Sequence, residues 1–229
     1  MAENRLILCI ETSTEVCSVA LSSSGNCITE ESVSEPNAHG TRLTCMIEAI
    51  LAENHLAIDD LHAVAYSHGP GSYTGLRIGL SVAKGICFGS NKPLISIPTL
   101  QHLALGSIVP ADYYFPMIDA RRMEVYGALV NSQGSFELQP FACIVDTYNW
   151  AELLAQKKIC FVGNGVQKSK PILQSFKNAT IADDYVISAA SMCKLADGKF
   201  QQGDITDLTT EVPFYLKEAN VTVSKKSGI

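Results

Sequence analysis

Leu6-Ile7-Leu8-Cys9-Ile10-Glu11 and Tyr113-Tyr114-Phe115-Pro116-Met117-Ile118-Asp119 are the stretches whose reading decides the fold. Each is a continuous apolar run of strand length closed by a carboxylate, the pattern of a strand buried on both faces. Each also opens the same succession of elements. Cys17–Ser22 and Cys27–Ser32 flank the turn cluster Ser23-Ser24-Gly25-Asn26, and Glu124–Val130 and Ser135–Leu138 flank Asn131-Ser132-Gln133-Gly134. Both read as hairpins. A gap-free shift of 108 residues pairs Ile10 with Ile118, Glu11 with Asp119, Ala20 with Ala128, Leu21 with Leu129 and Ser24 with Ser132. A repeated order of elements at a fixed offset is the mark of a duplicated unit. The expectation is two related α/β lobes, 1–104 and 105–229, each a mixed sheet with flanking helices, the last segment free to pack back on the first lobe.

Between the two strand units the spacing predicts an amphipathic helix, with Leu43, Met46, Ile47, Ile50 and Leu51 on one face and Asn54 as its stop. A strand Ala63–Ser67, a helix Gly75–Gly89 and a strand Leu94–Ile97 follow, and Thr99 is expected to cap a short helix ending at Gly106. After the second unit the pattern gives a helix near Asn149–Ala155, a strand at Ile159–Gly163, and helices near Val166–Phe176 and Ser188–Phe200.

Composition sets the outer limits. Of 229 residues, 47% are hydrophobic and 17% charged, which excludes intrinsic disorder. The net charge of −6 and short basic clusters argue against direct gripping of a phosphate backbone. Eight cysteines occur without a Cys-x-x-Cys pair, most of them inside apolar runs, so they read as core filling. The five histidines show no helical pairing that would suit a metal. The N-terminus leads straight into a strand, and no apolar run approaches the ~18 residues of a membrane span. The expectation is a soluble, cytoplasmic chain with no membrane contact.

Gly69-Pro70-Gly71-Ser72-Tyr73-Thr74-Gly75-Leu76-Arg77-Ile78-Gly79 lies between a strand and a helix. A dinucleotide fingerprint requires an acid about 20 residues further on, but no Asp or Glu occurs from Leu61 to Ala111. A Walker loop needs Gly-Lys-Ser/Thr, and a nucleophile elbow needs glycines where Pro70 and Thr74 stand. What remains is a bare ridge of Gly75, Gly79 and Ala83 on one helix face, with Ser72 or Thr74 as its cap. Each internal Gly costs up to ~1 kcal/mol relative to Ala, so something packs closely there: an element of the same lobe, or a helix of another protein. Glu11, Asp119 and Arg121 stand at strand ends as weak nucleotide or anion candidates, against the plainer reading of turn-forming acids. Gly163-Asn164-Gly165 reads as a plain turn.

Several segments together carry a resemblance. Leu6–Glu11 with Thr12-Ser13-Thr14-Glu15-Val16-Cys17, Gly69–Gly79, Lys92-Pro93-Leu94-Ile95, Ile118-Asp119-Ala120-Arg121 with Glu124-Val125-Tyr126, and Pro213-Phe214-Tyr215-Leu216 are similar to the bacterial TsaB (YeaZ) family. That resemblance implies two lobes of the actin-like, sugar-kinase/Hsp70 (ASKHA, RNase H-like) type. It implies a non-catalytic role in forming N6-threonylcarbamoyladenosine (t6A) at position 37 of tRNAs reading ANN codons. The implied partners are a TsaD-like transferase and a TsaE-like ATPase, with a homodimer possible and tRNA met only through the complex. No cofactor of its own is implied, ATP and metal being expected on the partners. Transferases of the TsaD type carry His-x-x-x-His after a Lys-Pro-Leu-Ile strand, whereas here Thr99 and Leu103 stand at those positions and His102 is one residue out of register. The resemblance also favours a partner against the small-residue ridge, giving Gly75, Leu76, Gly79 and Ala83, with Met46 and Ile50, as expected contacts. The rival readings are a phosphotransferase or ATPase using the cleft between lobes, and a metal-dependent glycoprotease.

Overall fold

The computed structural model describes residues 4–35, 37–146, 148–183 and 185–217. Two five-stranded sheets carry the chain. The first is built from β1 (Leu6–Glu11), β2 (Cys17–Ser23), β3 (Asn26–Val33), β4 (Ala63–Gly69) and β5 (Leu94–Pro98), in the order β3-β2-β1-β4-β5. The second uses β6 (Tyr113–Asp119), β7 (Glu124–Asn131), β8 (Phe136–Ile144), β9 (Ile159–Val162) and β10 (Ala179–Ala182), in the order β10-β9-β6-β7-β8. Both orders are the same plan: a three-strand antiparallel meander whose first strand pairs in parallel with the next strand along the chain. The duplication expected from the sequence is therefore present at the level of topology. β1 is central, and Ile7 through Glu11 are buried.

Helices cover both faces of each sheet. α2 (Leu43–Glu53) and α3 (Tyr73–Ser90) pack on one face of the first sheet, around Leu8, Ile10, Val19, Leu43, Met46 and Tyr66. α5 (Trp150–Leu154) and α6 (Val166–Leu173) cover the corresponding face of the second, where Phe115, Trp150 and Phe161 pack. The inner faces are covered crosswise. α4 (Thr99–Leu105) lies on the second sheet through Leu100, Leu103 and Ala104. The 3-10 turn Ala189–Met192 and α7 (Cys193–Gln202) return to the first sheet through Ala189, Met192, Cys193 and Ala196. α4 lies in sequence between the two sheets and packs on the second, while α7 follows the second sheet and packs back on the first. One-turn α1 (Ala38–Thr41) precedes α2.

Several sequence expectations need correction. β8 runs to Ile144 instead of ending at Leu138, and β10 was not foreseen, since Ala179-Thr180-Ile181-Ala182 is too short for its periodicity to register. α6 stops at Leu173, short of Phe176, and the Ser188–Phe200 helix is a 3-10 turn followed by α7. Thr99 does not cap α4: the cap position is Pro98, and the Thr99 hydroxyl accepts the Gly69 N–H at 3.0 Å. Cys27 and Cys45 are exposed, while the other six cysteines are buried as core filling requires. Among the described residues no helix is long and apolar enough to cross a membrane.

α3 explains the small-residue ridge. Ser72 caps it by accepting the Gly75 N–H at 3.2 Å, and Asn91 ends it in the left-handed conformation. Gly75 and Gly79 face the β1–β2 turn: a Cβ on Gly75 would lie 2.1 Å from the Thr12 carbonyl, and one on Gly79 2.2 Å from the Thr12 hydroxyl. The ridge is bare so that the helix can seat against Thr12. Leu76, Ala83, Met46 and Ile50 are buried with it. The six residues expected to contact a partner are therefore internal packing of this chain.

The other side of α3 is different, because Gly85 and Gly89 have no atom within 4 Å of an added Cβ. Gly79→Ala is expected to lower unfolding free energy by ~1–3 kcal/mol through overpacking, whereas Gly85→Ala raises it by up to ~1 kcal/mol through helix propensity. Denaturant unfolding of the two variants checks both signs.

Candidate functional site

The candidate acids occupy equivalent positions with different fates. The Glu11 carboxylate accepts the Ser13 N–H at 2.5 Å, and the Asp119 carboxylate accepts the Arg121 N–H at 2.6 Å. Each is a turn-forming acid bonded two residues ahead. Glu11 is wholly buried and faces no cleft, which corrects its reading as an anion or nucleotide candidate. Its carboxylate also accepts the Ser67 O–H and pairs with His102 Nε2 at 2.9 Å. On the far side of the ring, His102 Nδ1 lies 2.8 Å from Ser191 Oγ, whose own proton goes to the Ser188 carbonyl at 2.7 Å. Both ring nitrogens are thus engaged, Nε2 by Glu11 and Nδ1 by Ser191. Burial alone would push the Glu11 carboxyl up; the bond and charge of His102, with the Ser13 and Ser67 donors, outweigh it and hold the carboxyl below its usual range.

Ser67, His102 and Glu11 suggest a hydrolytic triad by composition but not by geometry. Ser67 Oγ and Glu11 both face Nε2, so the acid does not orient the ring from the opposite nitrogen. Ser67 is also sealed from solvent. This cluster is a structural joint: Glu11 and Ser67 come from the first sheet, His102 from the helix lying on the second, and Ser191 from the returning turn. Sequence reasoning missed it, although a histidine between Leu100 and Leu103 in α4 was a signal.

Asp119 and Arg121 do line a cleft, a space of 880 Å³ between the β1–β2 and β6–β7 turns, the start of α3 and Tyr215–Lys217. Lys168 Nζ bonds Asp119 Oδ1 at 2.7 Å, Asn164 Oδ1 accepts the Asp119 N–H at 2.9 Å, and Asn164 Nδ2 reaches across to Glu15 at 2.8 Å. Arg121 and Arg122 both adopt left-handed backbone angles, at φ 71° and 50°.

An actin-like fold raises the question of a nucleotide, and these turns do not fit one. A phosphate cradle needs free backbone N–H groups. Here the Ser13 N–H is spent on Glu11, the Arg121 N–H on Asp119, and the Ser13 carbonyl on the Ser72 N–H at 2.6 Å. Thr12 fills the remaining space against α3. Among the described residues no group of three or more His, Cys, Asp or Glu side chains is arranged to hold a metal. At the positions of the transferase histidines, the Thr99 hydroxyl is engaged by Gly69 and Leu103 is buried among apolar side chains.

The outer face of α2 and α3 is the other notable surface. Ile47, Leu51, Ala52, Ile58, Val82 and Ile86 line an apolar groove of 430 Å³ between the two helices. Phe88, 84% exposed, projects from the same helix as the open glycines.

Comparison with known proteins agrees with this architecture. The family model described as TsaD, tRNA N6-adenosine threonylcarbamoyltransferase, matches residues 31–196. The tRNA threonylcarbamoyladenosine biosynthesis protein TsaB of Escherichia coli (strain K12) is 40% identical over 230 residues, covering 97% of this chain and 98% of that protein. The chain belongs to the TsaB (YeaZ) family. The Haemophilus influenzae TsaB is 29% identical, covering 99% of both chains. Among solved structures, YeaZ from Pseudomonas aeruginosa superposes with a TM-score of 0.78 at 26% identity, covering 93% of this chain and 100% of that one. The TsaB fold is thus two actin-like lobes, and component A of the Acidaminococcus fermentans (R)-2-hydroxyglutaryl-CoA dehydratase shares it at a TM-score of 0.50.

The joint makes a pH prediction. A carboxyl held below its ordinary value of 4.5 contributes stability that is fully present above that value and is lost as pH falls through the depressed one. Glu11→Gln should therefore cost ~3–5 kcal/mol at neutral pH, as removal of one partner from a buried pair does. Unfolding measured across an acidic pH series should show the gap to wild type narrowing as pH falls.

Proposed function

We propose that this chain is a scaffold subunit in t6A formation at position 37 of tRNAs reading ANN codons, without a catalytic or metal site of its own. Its outer α2/α3 face pairs with a TsaD-like transferase, a TsaE-like ATPase joins the pair, and ATP and metal reside on those partners. The reaction is cytoplasmic, and tRNA is reached through the assembly, in keeping with the net charge of −6. The lobes are 1–104 and 105–229, with α4 and α7 exchanged between their sheets.

The observation that carries this reading is the uncovered apolar face. A groove floored by Ile47 and Leu51 and flanked by Val82 and Ile86 runs beside the bare Gly85 and Gly89 surface of the same helix, which suits close packing by another helix. The names of the similar proteins support the pathway, and the match to the transferase's family model is in keeping with a paired relative as partner. The contact is assigned to this groove and not to the Gly75–Ala83 ridge, since that ridge is occupied by Thr12.

Ala52→Arg, at an exposed position on the lining of the groove, tests this placement. The expected outcome is an unchanged melting temperature with co-purification of the TsaD-like transferase lost by tenfold or more, ~1.4 kcal/mol or above. Retention of the transferase by a folded Ala52→Arg chain would remove this groove as the pairing surface. A second copy of the chain is the competing occupant, and dimers seen by sedimentation that also dissociate in Ala52→Arg would show that both use one face.

A further inference from the structure

The segment after α7 forms neither helix nor strand over residues 203–217, yet it follows a defined course. The Thr206 N–H donates to the Leu94 carbonyl at 2.8 Å, and its hydroxyl accepts the Ser96 N–H at 3.0 Å, so the segment starts along the edge of β5. Glu211 then turns inward. Its carboxylate accepts the Tyr66 O–H and stands 3.5 Å from His68 Nε2, while its carbonyl accepts Lys84 Nζ at 2.8 Å. The Phe214 N–H donates to the His68 carbonyl at 2.8 Å, and its ring stacks on His68 with centroids 5.9 Å apart. The Phe214 carbonyl occupies the space beside Gly69, where an added Cβ would meet it at 2.4 Å. Tyr215 lies against Tyr73 at 4.7 Å, and its hydroxyl accepts Arg77 Nε–H at 3.0 Å. The last described residue, Lys217, leaves the first lobe and pairs with Glu124 on β7 of the second.

The two ends of this course differ in strength. On the first lobe the anchor comprises several backbone and buried side-chain bonds with two aromatic contacts. On the second, among the described residues, it is one ion pair with side chains 43% and 21% exposed, of a kind worth ~0.2–1 kcal/mol. The opposite rim of the cleft is bridged, among the described residues, by an exposed bond from Asn164 to Glu15. Deep between the lobes lies the buried Glu11–His102–Ser191 joint. Tyr215, Leu216 and Lys217 themselves form a wall of the cleft.

We infer that residues 204–217 are a clasp: fixed on the first lobe, they hold the interlobe cleft closed through Lys217 and Glu124, and they release at that pair while the rest stays docked. The lobes then move about the buried joint, and the cleft widens at its mouth. This inference is independent of the pairing proposed for α2 and α3.

Spin labels at Thr74→Cys and Gln167→Cys, in a Cys27→Ser/Cys45→Ser full-length chain, report the separation of the lobes at the cleft mouth. Lys217→Glu, which sets like charges against each other, is expected to shift the distance distribution to a longer mean and to broaden it. Lys217→Glu/Glu124→Lys is expected to restore the wild-type distribution, with melting temperatures unchanged throughout. A distribution for Lys217→Glu that superimposes on wild type, or a charge-swapped chain that stays wide, overturns the clasp. If Lys217→Glu unfolds the chain, Lys217→Met decides: a smaller shift in the same direction supports the clasp, and no shift overturns it.

Discussion

A carboxylate shut away from water must be answered by a partner, and the relation between the two sheets depends on how Glu11 is answered. An unpaired charge at the end of the central strand would cost several kcal/mol. His102 meets that need, and it can do so only because α4 crosses from the end of β5 to lie on the second sheet. Ser191 then fixes the far side of the ring from a segment that has returned to the first sheet. One buried pair thereby ties together both sheets and both crossed helices. Its specificity is geometric: the ring must present Nε2 to Glu11 and Nδ1 to Ser191 together, which fixes the position of α4.

The same strand end determines what the fold cannot do. The turn after β1 is where an actin-like lobe would need open backbone donors to take up phosphate. Here Glu11 consumes one donor, Ser72 binds the Ser13 carbonyl, and Thr12 is wedged against Gly75 and Gly79. The matching turn in the second lobe closes itself through Asp119, Arg121 and Lys168. The residues of these two turns are used for internal cohesion. The apolar groove lies elsewhere, between α2 and α3.

The duplicated topology was legible because it rests on local patterns: apolar runs ending in acids, hairpin turns at matching spacing, and one clear amphipathic helix. The site was less legible because it depends on long-range placement. The glycine ridge of α3 signalled a close approach, but only the position of Thr12 shows that the approach is internal. Met46 and Ile50 sit on an apolar stripe that buries toward the sheet, so the same periodicity that found the helix also pointed to its inner face. Phe88 carried no pattern of its own, being a single exposed aromatic among small residues. The joint needed four residues spread from Glu11 to Ser191, a span over which no sequence spacing operates. The Pro213–Leu216 stretch was visible as a resemblance, but its path over His68 and Tyr73 follows from no local rule.

The proposed role is that of a chain acting through what it holds in place. The most direct measurement is t6A formation on an ANN-reading tRNA, reconstituted from a TsaD-like transferase, a TsaE-like ATPase and the threonylcarbamoyl donor, with and without this chain. The account predicts that t6A falls to background when the chain is omitted, and that the chain alone with ATP and tRNA neither modifies tRNA nor turns over ATP. Full modification without the chain, or ATP turnover by the chain in isolation, would contradict it.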